Sequence, residues 1–169
     1  MLLKYRKLNN DDLYTWEKVA QPLFSKDDFC DAEYLIKLGN KLKGWVLLDD
    51  NNEWIGCCFI DNKKHPYNKD GIHFLEVCTF PKYRNKGYGK YLMKIMFDNS
   101  LSKLKSVCIA PDNIASQTLF KKYGFTKHGK RKYWDVYLCD KDFYPDELKQ
   151  LKMVEIEKHH KSFNRKNFR

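Results

Sequence analysis

A chain of 169 residues holds one compact domain and is too short for two ordinary ones. With 43% hydrophobic and 15% aromatic residues it can bury a sizeable core, which excludes intrinsic disorder. Its 32 basic and 22 acidic residues give a formal charge of +10, which favours an anionic partner: nucleic acid, a phosphate-bearing cofactor or an anionic membrane, with plain solubility as the blandest alternative.

Met1 to Lys7 lacks the apolar stretch of a signal peptide, and the longest apolar run, Trp54 to Ile60, is far below membrane-spanning length. A cytoplasmic protein without membrane association is therefore predicted. The six cysteines, at 30, 57, 58, 78, 108 and 139, include no C-x-x-C pair. They read as small buried hydrophobes kept reduced, and neither a metal site nor a disulfide framework is expected.

In chain order, Leu2 to Lys7 reads as a short edge strand. Asn9 to Asp12 offers N-cap residues before Leu13, Trp16, Val19 and Ala20, whose spacing predicts a helix that stops near Pro22. A second helix is expected from about Ser25 or Asp27 to the C-cap pair Gly39-Asn40. Strands Gly44 to Leu48 and Trp54 to Ile60 flank the turn-rich Asp49 to Asn52 and predict a hairpin. A loop over Asp61 to Gly71 leads to a longer strand, Ile72 to Phe80. After Pro81 comes Lys82-Tyr83-Arg84-Asn85-Lys86-Gly87-Tyr88-Gly89, followed by a helical pattern through Leu92, Ile95 and Met96. A strand over Ser106 to Ala110, a helix over Asn113 to Tyr123 and strands near Thr126 to Gly129 and Lys132 to Leu138 complete the domain. Beyond Pro145, Leu148, Leu151 and Val154 predict a weakly amphipathic helix running into the basic tail Lys158 to Arg169.

Strand, glycine loop, helix is a layout that binds phosphate, because glycines let backbone amides converge on one point at a helix N-terminus. Here the amides of Arg84 to Lys90 would grip an anion, with Arg84, Lys86 and Lys90 adding charge. The loop is neither G-x-x-x-x-G-K-[ST] nor G-x-G-x-x-G, since position 92 is Leu. A lone G-x-G at a helix start is equally well a tight turn.

The R-x-x-G-x-G loop entered from a strand through Pro81-Lys82-Tyr83, together with Asn113…Leu119-Phe120…Gly124-Phe125 and the order of elements, resembles the GNAT N-acetyltransferase superfamily over residues 1–143. The resemblance implies an α/β fold with a central mixed sheet, splayed parallel strands and flanking helices. The domain would be 1–143, with 144–169 a C-terminal helix and basic tail. It also implies acetyl-CoA as cosubstrate. The pantetheine arm would pair with backbone at Val77, Cys78 and Thr79, and the diphosphate would lie on Arg84, Asn85, Lys86, Gly87, Tyr88, Gly89 and Lys90. Asn113 would reach the pantetheine, and Phe120 would stand where the family usually carries a tyrosine acid.

Acetyl transfer to an amine requires the amine neutral, and an ordinary alkyl ammonium has a pKa of about 10.4, so a base helps; a thiol with a pKa of about 8.5 leaves comparatively easily. The family resemblance places the general base at His73, six residues before Thr79, and neutral imidazole is competent at pH 7. His73, Leu75, Val77 and Thr79 share a strand face unless a bulge intervenes; Glu76, on the other face, is the reserve base. The acid is Tyr123, a water, or dispensable. Cys108 stands where enzymes acetylating ribosomal protein N-termini carry a Glu, which sets this chain apart from them.

Acceptor specificity in this fold is expected from the loop Gln21 to Asp28, with Leu23, Phe24, Asp27 and Asp28, and from the last hairpin, with Lys130 and Arg131. Tyr14, Trp16, Tyr133 and Trp134 are candidates to line an amine pocket. Two rivals stand beside the enzyme: an acetyl-CoA-binding protein without catalysis, and a nucleic-acid or ribosome-associated module acting through the basic tail. The chain would be a monomer or homodimer.

Overall fold

The computed structural model describes residues 1–24, 30–62 and 65–157. Strand β1 (Lys4–Lys7) leads into helix α1 (Asn10–Ala20), whose start is fixed by a capping box: Asn9 Oδ1 accepts from the Asp12 amide and Asp12 accepts from the Asn9 amide. Asp12 is buried and also pairs with Arg6 at 2.9 Å, so one carboxylate ties the helix to the strand before it. A 3₁₀ turn over Gln21–Leu23 ends the helix at Pro22. Helix α2 (Ala32–Leu38) starts later than predicted, because Asp31 supplies the N-cap, accepting from the Tyr34 amide at 2.8 Å. The predicted start at Ser25 or Asp27 lies outside the described residues.

Strands β2 (Leu42–Leu48) and β3 (Trp54–Asp61) form the expected hairpin. Its turn is held by Asp49, whose Oδ1 accepts from the amides of Asn51 and Glu53. Strand β4 (Ile72–Thr79) pairs antiparallel with β3 and parallel with β5 (Lys105–Ile109), and helix α3 (Gly89–Asp98) crosses between β4 and β5. Helix α4 (Ile114–Lys122) then leads to the hairpin β6 (Thr126–Arg131) and β7 (Trp134–Cys139). At the end of α4, Gly124 has φ +93°, and a Cβ there would run into the Phe143 ring.

Two apolar layers sandwich the sheet. On one side α3 and α4 pack Leu92, Met96, Phe97 and Phe120 against Phe74, Phe125 and Tyr137. On the other, α1 and α2 pack Trp16, Ala20, Ala32 and Leu35 against Val46, Phe59 and Cys78. Trp16 is fully buried in this second layer and Tyr14 is exposed, and neither borders the cavity at the parting of the two central strands, where an amine pocket was expected.

The C-terminal stretch departs from expectation. Helix α5 is four residues long (Asp146–Lys149), after which the chain extends and strand β8 (Val154–Glu155) pairs parallel with β1. The described strands make one mixed sheet in the order β6-β7-β5-β4-β3-β2-β1-β8. The apolar positions that suggested a long amphipathic helix act differently: Leu148 is fully buried, Leu151 and Met153 pack against the α3 layer, and Val154 lies in the edge strand. Among the described residues, no helix is long and apolar enough to cross a membrane. The basic tail, 158–169, lies outside them.

Because Leu148 is anchored in the main core, Leu148→Ala is expected to lower unfolding free energy by about 2–5 kcal/mol in a urea titration. A loss below about 0.5 kcal/mol would show that the segment contributes little to the domain.

Candidate active site

The site begins with one extra residue in β4. Leu75 pairs with Phe59 and Cys78 with Cys57, so three steps on β4 oppose two on β3. Glu76 absorbs the difference in the left-handed region at φ +43°, the signature of a bulge. Side-chain alternation shifts as a result. Leu75 and Cys78, three apart, both face the α1/α2 layer, whereas Phe74 and Val77 face the α3/α4 layer. The face shared by His73, Leu75, Val77 and Thr79 in an unbroken strand is therefore split at the bulge.

Next to the bulge the parallel ladder stops. Strand β4 pairs with β5 only at Ile72↔Lys105, His73↔Ser106 and Phe74↔Val107. Beyond Phe74 the two strands part, leaving the backbone of Val77 to Thr79 without a β5 partner. A cavity of about 390 Å³ lies at this parting. Its walls are His73, Leu75, Glu76 and Val77 from β4, Cys108 and Ile109 from β5, Asn113 and Phe120 from α4, Phe24 and Cys30 from the α1–α2 connection, and Arg131, Lys132 and Trp134 from the last hairpin.

His73 is buried, and its Nδ1 lies 2.8 Å from the hydroxyl oxygen of Ser106, the residue opposite it on β5. Ser106 does not border the cavity, so it holds the imidazole from behind. Glu76 borders the same cavity, with Oε2 buried. Burial pushes the Cys78 thiol up to about 12, which keeps it an inert core group.

At the far end of β4 a 3₁₀ turn over Pro81–Tyr83 leads to the glycine loop. Tyr83 braces this turn against the β2–β3 hairpin: its hydroxyl lies 3.0 Å from Asp49 Oδ2 and 2.9 Å from Glu53 Oε2, and Lys82 pairs with Glu53 at 2.8 Å. Burial, and then these two carboxylates, hold the phenol well above its ordinary pKa. Arg84 Nε donates to the Thr79 carbonyl at 3.1 Å, tying the loop to the strand end. Asn85 and Gly87 both adopt left-handed backbone, at φ +59° and +83°. Gly89 does not; a Cβ there would meet Leu119 at an ordinary 3.6 Å. No side chain caps α3, and among the described residues none of the amides from Asn85 to Lys90 donates to a protein acceptor. Open amides at an uncapped helix start, beside Arg84, Lys86 and Lys90, are what a diphosphate requires.

A model of the GNAT acetyltransferase family matches residues 6–125. The chain belongs to that family. Members are acetyl-CoA-dependent N-acetyltransferases, and the parted strands and open amides of this structure suit that cosubstrate. No curated protein matches the sequence. Among solved structures, the fold is similar to spermidine N-acetyltransferase from Vibrio cholerae in complex with CoA and spermine, at TM-score 0.61 and 18% identity over 80% of this chain and 92% of that one. It is also similar to Arabidopsis thaliana NAA60 in complex with a bisubstrate analogue, at 0.62 and 19% over 80% and 95%. A third is PaiA N-acetyltransferase from Thermoplasma acidophilum in complex with coenzyme A, at 0.60 and 16% over 83% and 99%.

In this family member His73, Glu76, Val77, Asn113 and Phe120 meet at the cavity, and the loop from Arg84 to Lys90 stands at the adjacent helix start. Asn113 also caps α4, its Oδ1 accepting from the Ser116 amide at 3.1 Å. Tyr123 is not brought to the site. It is buried in the α3/α4 layer, at the end of α4, and does not border the cavity. Phe24, Arg131 and Trp134 are at the wall as the sequence reading expected, and Leu23 is not. Asp27 and Asp28 lie outside the described residues. Sequence reasoning missed Ser106 and Cys30, and weighed Cys108 only as a missing carboxylate. The alternation of β5, with Val107 and Ile109 in the core, was the signal that turns Ser106 and Cys108 to the opposite face.

Gly87→Ala is expected to let the free loop relax out of its left-handed conformation, which costs an alanine roughly 1–2 kcal/mol, so that CoA binding, which must restore it, weakens by up to about tenfold in calorimetry. Gly89→Ala is expected to leave the unfolding midpoint unchanged. Equal CoA affinities for wild type and Gly87→Ala would remove the loop geometry as the phosphate grip.

Proposed function

We propose that the protein transfers acetyl from acetyl-CoA directly to a primary amine held in a ternary complex, with His73 as general base. The observation that carries this reading is the buried His73 at the parting of β4 and β5, its Nδ1 on Ser106 and the residue itself bordering the cavity. Bound acetyl-CoA supplies an activated thioester. The chain's residues do the rest.

With Nδ1–H donating to Ser106, Nε2 of His73 is the atom that accepts the ammonium or attacking-amine proton. The C–N bond forms as the C–S bond breaks, and the proton passes to imidazole while the electron pair leaves on sulfur. A backbone amide at Thr79 or its neighbour donates to the carbonyl oxygen as charge develops there. Phe120, at 3% exposure, borders the cavity and keeps water from it without donating a proton. A thiolate leaves without a dedicated acid, so the absence of Tyr123 from the cavity is no obstacle.

Glu76 is the second candidate base, favoured by its place at the bulge on the same wall. The two are separated by mutation. His73→Ala is expected to lower kcat by about 10²–10⁴-fold while CoA affinity is kept, and Glu76→Gln to change it far less. The reverse ranking would transfer the role to Glu76, and unchanged turnover in both would remove a side-chain base.

Direct transfer also predicts double-reciprocal initial-rate plots that intersect as acetyl-CoA and acceptor are varied; parallel lines would indicate an acetylated enzyme instead.

A further inference from the structure

The charged groups around the cavity are segregated by depth. At the bulge is the one carboxylate among its described walls, Glu76, whose Oε2 is buried, on a wall that also carries His73. At the rim the β6–β7 hairpin supplies Arg131 and Lys132, both exposed and both on the wall, with Lys130 next to them. None of these three cations forms an ion pair among the described residues, whereas Lys127 on the same hairpin pairs with Asp135 at 3.3 Å. Asp31, the described carboxylate beside Cys30 on the opposite side, is occupied as the N-cap of α2. The rim cations are also distinct from Arg84, Lys86 and Lys90, which stand on the glycine loop at the N-terminus of α3 and do not border the cavity.

A carboxylate inside and cations outside orient a dipolar guest. An ammonium is drawn toward Glu76 and His73, and an anion on the same molecule stays at Arg131 and Lys132, where a guanidinium and an ammonium recognise carboxylate. A polyamine would set its second cation against the rim. Trp134, on the wall of the same cavity and tilted against Tyr133 with ring centroids 4.9 Å apart, gives the guest's carbon skeleton an apolar surface. We infer that the acceptor is an amine carrying a carboxylate close to its amino group, read by Arg131 and Lys132 of the β6–β7 hairpin. The inference rests on the acetyltransferase reading and names the acceptor class within it. Two sources share that chemistry: a free amino acid, and a peptide N-terminus followed by an acidic side chain.

The test compares matched acceptors by CoA release: lysine against cadaverine, phenylalanine against phenethylamine, and C-terminally amidated Met-Asp-Glu against Met-Lys-Lys peptides, with spermine alongside. The carboxylate-bearing member of each favoured pair is expected to have a kcat/KM about three- to tenfold higher, as for a partly exposed ion pair. Preference in the first two pairs identifies free amino acids, and in the third an acidic peptide. Arg131→Glu with Lys132→Glu is expected to abolish or invert the preference, with CoA affinity and unfolding midpoint unchanged. Equal rates within every pair, a preference for spermine, or a preference surviving the double reversal would overturn the inference. A loss of CoA affinity in the reversed variant would also do so, by assigning these cations to the coenzyme. Should no amine be acetylated, the transferase reading fails by itself. Calorimetry of the CoA-bound protein with the same pairs then decides the inference separately, since tighter carboxylate binding that the double reversal removes supports it and equal binding overturns it.

Discussion

Everything chemical in this protein depends on the place where backbone pairing stops. Strands β4 and β5 pair for three residues and then part, next to a bulge that puts an extra residue, Glu76, into β4. A buried strand seldom gives up hydrogen-bonding partners, because each unmatched peptide group in a low-dielectric interior costs free energy comparable to a lost hydrogen bond. Here the break opens on a cavity of about 390 Å³ and not on closed core, while large side chains keep the layers around it packed, Phe59 and Trp16 on one side and Phe74, Phe97 and Phe120 on the other. The sheet can open at one point because it is clamped everywhere around it.

From that break the two halves of the site follow. One strand edge with free peptide groups suits an amide-bearing arm such as pantetheine, and the uncapped start of α3 lies at the end of the same strand. The loop between them is not left to float. Tyr83 and Lys82 fasten it to the β2–β3 hairpin through Asp49 and Glu53, and Arg84 fastens it to the Thr79 carbonyl. These contacts hold the left-handed backbone of Asn85 and Gly87, so the amides are aimed before any anion arrives. Preorganisation of this kind reduces the ordering cost that binding would otherwise incur.

The net charge of +10 resolves into separate populations. Arg84, Lys86 and Lys90 belong to the glycine loop. Arg131 and Lys132 border the cavity from the other side, and Arg6 and Lys127 are engaged with buried or nearly buried carboxylates. Positive charge that looks uniform in composition is thus divided between the glycine loop, the hairpin wall of the cavity and the framework.

Most of the element order was legible in the residues, since hydrophobic period, caps and glycines are local signals: Asn9 capping α1, Asp49 to Asn52 turning the hairpin, Gly124 ending α4. The glycine loop was legible for the same reason. The C-terminal segment was misread because Leu148, Leu151 and Val154 keep a helical spacing, while the free edge of β1 offers Val154 and Glu155 backbone partners that a helix cannot match. Period alone does not count such offers. The face assignments in β4, which hold for an unbroken strand, give way at the bulge, which no side chain announces, and Tyr123 is packed into the core at the end of its helix. By itself the sequence determined the layout of strand, glycine loop and helix, and the family resemblance that these motifs carry made His73 and Glu76 candidates. Only the tertiary structure decided that both border one cavity, that Ser106 holds His73 Nδ1, and that Arg131 and Lys132 line the same cavity, because those relations depend on strand register and on where pairing ends.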